Sequence, residues 1–174
     1  MKSRHILTIA LVSMFLLSSP HSRNLGISQS LSREKALAML RCCGRSVCSE
    51  RCDEDASEYL IGLFKRGDKA LLGPLIDAGL VSDGALSASL GVFYGDLLWK
   101  EPRTFLKALA SRSKEDQRQL ASLAGAMDGS GMPREMLAKV RATLRKMGAQ
   151  KRNRLSPVAR LSLSEVNRAN RVER

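Results

Sequence analysis

The chain alternates short apolar runs with polar breaks, and the spacing within most runs is three to four residues. Ser32 opens the first such segment as a helix cap, with Ala36, Leu37, Met39 and Leu40 on one face and Gly44 as the expected stop. A second helix is predicted over about 54–66, where Tyr59, Leu60, Leu63 and Phe64 share a face and Gly67 ends it. Asp68 is the expected cap of a third helix, running to Ala78 and stopped by Gly79, with Pro74 as a kink or a break. A fourth spans about 84–100 behind Ser82 or Asp83, with Leu86, Leu90, Phe93, Leu97 and Leu98 inward. Pro102 suits the first position of a fifth helix carrying Phe105, Leu106 and Leu109. Ser113 with Asp116 opens a sixth, and Pro133 a seventh that ends before Gly148.

That makes about seven helices. No stretch carries the period-two alternation of Val, Ile and Thr that marks a strand. Composition agrees: from Gln29 onward there are 22 Leu and 17 Ala against 7 Val, 2 Ile and 2 Thr. The expected fold is all-α. Similar segments recur around Leu60, Leu90 and Leu120, and around Leu72, Leu106 and Leu137, at intervals of 30 to 34 residues. This period suits a short array of helical hairpins, HEAT-like, and an irregular bundle is the alternative.

The two ends read differently from the body. Lys2, Arg4 and His5 precede a run from Ile6 to Leu17 in which only Thr8 and Ser13 are polar. The run is too short for a bilayer span, which takes about 20 apolar residues, and it fits the apolar region of a signal peptide. Gly26 and Ser28 suit a cut before Gln29, with Ser18 and Ser22 as other candidates for the residue before the cut; residues 1–28 are taken as the signal, removed on export and leaving no stable membrane span. The expected location is periplasmic or secreted. At the other end, residues 149–174 are rich in Arg, Asn and Ser, are interrupted by Pro157, and read as a basic, mostly disordered tail. Leu155, Val158, Leu161, Leu163 and Val166 form only a weak stripe there.

Charge sharpens this division. Residues 29–132 carry 14 Lys or Arg and 14 Asp or Glu, whereas residues 133–174 carry 12 basic groups and three acids. The net charge of +12 therefore sits at the ends rather than over the body. Lys151, Arg152, Arg154 and Arg160 are the candidate contacts to an anionic partner. No aromatic residue is interleaved with them for base stacking.

Candidate chemistry is sparse. His5 and His21 are the two histidines of the chain, and both fall in the predicted signal. The remainder cannot build a Ser-His-Asp or Cys-His nucleophile or an imidazole metal site. Asp128-Gly-Ser-Gly131 lacks the acids of a calcium loop and reads as a helix stop. Cys42, Cys43, Cys48 and Cys52 form the pattern C-C-x4-C-x3-C. In an exported chain these are expected to form two disulfides, each worth about 2–3 kcal/mol for such short loops. A direct Cys42–Cys43 bond is disfavoured by geometry. Four thiolates on zinc are the competing chemistry, weakened by the absence of C-x-x-C pairs.

Phe93, Tyr94, Trp99 and Phe105 are close in sequence and are expected to fill the core between two helices. Tyr94, Trp99, Lys100 and Arg103 are the part of this cluster with polar tips, and form a candidate binding patch. Asp96 is expected to pair with a neighbouring cation. Together these features describe an exported, non-enzymatic helical module that binds another macromolecule, with no cofactor. A protein is the first partner class, and an anionic polymer, nucleic acid or surface engaged through the basic end is the second.

Overall fold

The computed structural model describes residues 31–42 and 50–171, the side chains of 50–53 excepted. The predicted signal at 1–28 lies outside the described residues. Among them are eight α-helices and no strand: α1 (Arg33–Leu40), α2 (Glu50–Lys65), α3 (Leu72–Val81), α4 (Gly84–Lys100), α5 (Pro102–Ala110), α6 (Lys114–Ala126), α7 (Arg134–Ala149) and α8 (Ser156–Ala169). None of these helices is long and apolar enough to cross a membrane.

Local chemistry explains most of the boundaries. The Ser32 hydroxyl accepts from the Lys35 amide at 3.2 Å, and that of Ser113 accepts from the Asp116 amide at 3.1 Å. Pro102 takes the first turn of α5, where its missing N–H costs nothing. The segment predicted as one helix around Pro74 is divided close to Leu72. A 3-10 turn over Lys69–Leu71 leads into α3, which places the proline in the first turn of that helix. Asp68 makes no capping bond and instead pairs with Arg33 at 2.7 Å, tying α1 to the start of α3. Gly79 does not stop α3, nor does Gly148 lie beyond α7. Both are inside their helices, because a neighbour packs against the bare backbone at each.

Helix α4 is the centre of the bundle. It packs on α2, on α6 and on α5, and α6 packs in turn on α8. Leu90, Tyr94 and Leu98 of α4 are fully buried, as are Leu60 of α2, Phe105, Leu106 and Leu109 of α5 and Leu120 of α6. Each such side chain contributes about 1.5–3 kcal/mol of burial free energy. Four aromatics run through this core in sequence: Phe64 meets Phe93 edge-on at 5.3 Å, Phe93 meets Tyr94 at 5.5 Å, and Tyr94 meets Phe105 at 5.9 Å.

Residues 149–174 are not a disordered tail as a whole. Residues 156–169 form α8, which packs against α6 and α7 and buries Val158, Ala159 and Val166. Pro157, read as an interruption, lies in the first turn of α8, where proline is favoured. The rest of the buried stripe is Ser156, Ser162 and Glu165. Polar and small residues at the inward positions are what hid this helix from a hydrophobicity pattern. The small serines let the helices approach closely. A Cβ on Gly125 of α6 would lie 3.0 Å from the Val166 Cα and 3.1 Å from the Ala169 Cβ. Polar bonds complete the seam. The Ser156 hydroxyl donates to the Gly148 carbonyl at 2.7 Å, and the Asn170 amide donates to the Gly125 carbonyl at 3.0 Å. Glu165 is held by Arg168, whose Nη2 lies 2.6 Å from its Oε2.

Candidate functional site

Folding α8 back on the bundle has a consequence for charge. The α7–α8 loop, residues 150–155, is carried to the side of α5. Its conformation is set locally: Asn153 Oδ1 accepts from the Leu155 amide at 3.0 Å, and the Asn153 side-chain amide donates to Gln150 Oε1 at 2.9 Å. Arg152 and Arg154, two positions apart around this Asn, are both exposed. On α5, Arg103 and Lys107 are one helical turn apart and also exposed. These four cations line one groove of about 620 Å³, with Ala110, Asn153 and Leu155 as the remaining walls.

No acidic residue lines this groove, and none of the four cations pairs with an acid among the described residues. Several cations elsewhere on the surface do have acidic partners. Lys69 pairs with Glu101 at 2.8 Å, Lys100 with Asp96 at 3.1 Å, Arg112 with Asp77 at 2.6 Å and Lys139 with Glu135 at 2.8 Å. Concentrated uncompensated charge in a concave site raises the local potential and attracts anions. Arginine adds a planar fork of donors that matches phosphate or carboxylate oxygens two at a time. Aromatic side chains are absent from the lining, so the groove offers charge and hydrogen bonds without a stacking platform.

The residues singled out in the sequence divide accordingly. Arg103, Arg152 and Arg154, assigned to two separate patches, come together. Lys151 and Arg160 are exposed but do not line the groove, and the Arg160 stem lies over Gly148. Tyr94 is no part of a surface patch: it is fully buried, its hydroxyl donates to the Leu75 carbonyl at 2.5 Å, and burial raises its pKa far above the ordinary phenol range. It reaches Leu75 because Gly79 has no side chain, since a Cβ there would collide with the hydroxyl. Trp99 is 39 % exposed, with the Lys100 ammonium 5.3 Å from its ring, and it stands apart from the groove. Lys107 escaped the sequence reading, although its position four residues after Arg103 on a predicted helix was the available signal.

Of the cysteines, Cys42 is half-buried and forms no disulfide with another described residue. Cys43, Cys48 and the side chain of Cys52 lie outside the described residues. No cluster of metal-ligating side chains occurs among the described residues. Asp128 sits in the turn after α6, and its Oδ1 accepts from both the amide and the hydroxyl of Ser130, which holds its pKa below the usual carboxylate value.

No family model, curated protein or solved structure matches the chain.

Proposed function

We propose that this protein is an exported, non-enzymatic binding module whose partner is an anionic macromolecule held in the Arg103–Lys107–Arg152–Arg154 groove. The observation that carries the reading is the company these cations keep: four in one concavity, with no acid in its lining. Maintaining unpaired like charges side by side costs folding free energy, and a bound anion relieves that cost. The neutral body between residues 29 and 132 supports the reading further, because the basic excess is local rather than spread over the protein. Successive packing of α2 on α4, α4 on α6 and α6 on α8 suits a short array of helical hairpins serving as a rigid scaffold. The apolar run before Leu17 supports export, and with it disulfide pairing within the Cys42–Cys52 cluster as a structural staple.

The test is binding of the full chain to a long polyphosphate at near-physiological salt. Hydrogen bonds to charged groups contribute about 1.5–3 kcal/mol each. R152E/R154E is therefore expected to weaken binding by at least about tenfold, with an unchanged circular dichroism spectrum. K65E/R66E removes the same charge at the end of α2, outside the groove, and is expected to retain affinity within about twofold, because salt screens charges that do not touch the ligand. Equal losses in both variants would show that net charge alone attracts the polymer and would remove the groove as a site.

A further inference from the structure

A second groove of about 480 Å³ adjoins the first, and Arg103 lines both. The second is bounded by Lys100, Glu101 and Thr104 at the start of α5 and by Thr143, Lys146 and Gln150 near the end of α7. Its charges are unevenly available. Glu101 is already paired with Lys69, and Lys100 with Asp96. Arg103 and Lys146 have no acidic partner among the described residues. The two grooves thus join into one track along α5, with Arg103 in the middle, Lys146 on one side, and Lys107, Arg152 and Arg154 on the other. Helix α5 has nine residues, so the track is about 13 Å long at the α-helical rise.

A single phosphate or carboxylate fits at one place on such a track and leaves the rest of the charge uncompensated. A chain with an anion every few ångström compensates all of it. No aromatic side chain lines either groove, so recognition runs through charge and through the Thr143 hydroxyl rather than through stacking, the Thr104 hydroxyl already donating to Glu101. Resting on the function proposed above, we infer that the ligand is a linear polyphosphate or phosphodiester strand lying along α5 and crossing Arg103, read by its repeating phosphates alone.

The experiment measures binding of the full chain to a polyphosphate of about 12 units, an oligo-dT strand of about 12 nucleotides and an abasic strand of the same length. Pyrophosphate serves as the short probe, and salt is varied throughout. The long chains are expected to bind more than about tenfold tighter than pyrophosphate, since more counterions are released. K146E is expected to weaken the long chains severalfold, to leave pyrophosphate unaffected, and to reduce the salt slope for single strands by about 0.7. R152E/R154E should weaken long and short probes alike. Equal affinity for oligo-dT and the abasic strand supports recognition of the backbone, and tighter binding of oligo-dT would overturn it. Polyphosphate binding without strand binding, or the reverse, assigns the source of the phosphates and supports the track in either case. If K146E leaves long-chain affinity intact while R152E/R154E abolishes it, the track is wrong and the single groove stands. If no soluble polymer binds, or the protein binds only phosphatidylglycerol vesicles, the inference and the proposed function fall together.

Discussion

The seam around α4 and the seam between α6 and α8 solve the same problem with opposite materials. At the first, Phe64, Phe93, Tyr94 and Phe105 stack across three helices, and large side chains fill the space between backbones. At the second, Gly125, Ala159, Ser162 and Ala169 bring the backbones themselves together. The aromatic seam gains from area removed from water and from ring geometry. The small-residue seam gains from close contact of many atoms and from the hydrogen bond of Asn170 to the Gly125 carbonyl at its end, while Ser156 ties α8 to Gly148 of α7. The difference teaches that a helix can be integral to a core while contributing few of the side chains by which a core is usually recognised. It matters for the proposed function as well, since docking α8 is what brings Arg152 and Arg154 to α5.

The comparison breaks most decisively if the second seam proves dispensable. Truncation after Gly148 deletes α8 with Val158, Ala159 and Val166, each buried. The loss is on the order of 5 kcal/mol, comparable to the whole stability of a small domain. A cooperative melt is expected to disappear, and a truncated protein that melts as the full chain does would return residues 149–174 to the status of a tail.

Next in size, Phe105→Ala removes a fully buried ring from the aromatic seam and is expected to cost about 3–5 kcal/mol in chemical denaturation. A cost below about 1 kcal/mol would mean that the ring is not a keystone of that seam.

The small-residue seam makes a finer distinction between two helical glycines. Gly125→Ala is expected to destabilise by about 1 kcal/mol or more, because its Cβ would meet the backbone of α8. Gly62→Ala, inside α2, meets only the flexible end of Arg66 at 3.4 Å and is expected to stabilise by about 0.5–1 kcal/mol through helix propensity. A Gly125→Ala variant as stable as the parent or more so would show that α6 and α8 are not in close contact.

The smallest effect concerns the exposed pair at the edge of the charged track. The Glu101 pKa is lowered, chiefly by the hydrogen bond from Lys69. A depressed folded-state pKa stabilises above the unfolded value and loses that contribution as pH falls through the folded value. Glu101→Gln should therefore be less stable than the parent by a few tenths of a kcal/mol near neutral pH, and the gap should close as acid protonates the Glu101 carboxylate below the ordinary carboxylate range. A gap that persists in acid would show that the side chain acts through packing rather than charge.

What the sequence determined by itself is the set of elements with large apolar faces. Caps at Ser32 and Ser113, Pro102 at a helix start, and the periodic Leu and Phe positions of α2 and α4–α7 are local signals, and local physics places them correctly. The ion pair of Asp96 with Lys100 is equally local, four residues apart on one helix. Tertiary structure decided the remainder. Whether Tyr94 shows its hydroxyl to solvent depends on a glycine 15 residues away in another helix. Whether Ser156, Ser162 and Glu165 face inward depends on how closely α6 permits α8 to approach. Arg103 and Arg152 are 49 positions apart and carry no mutual signal in the chain, yet they line one groove because α8 docks where it does. Charge sums can be read from a sequence, but the concavity that gathers charge into a site exists only after distant segments have packed.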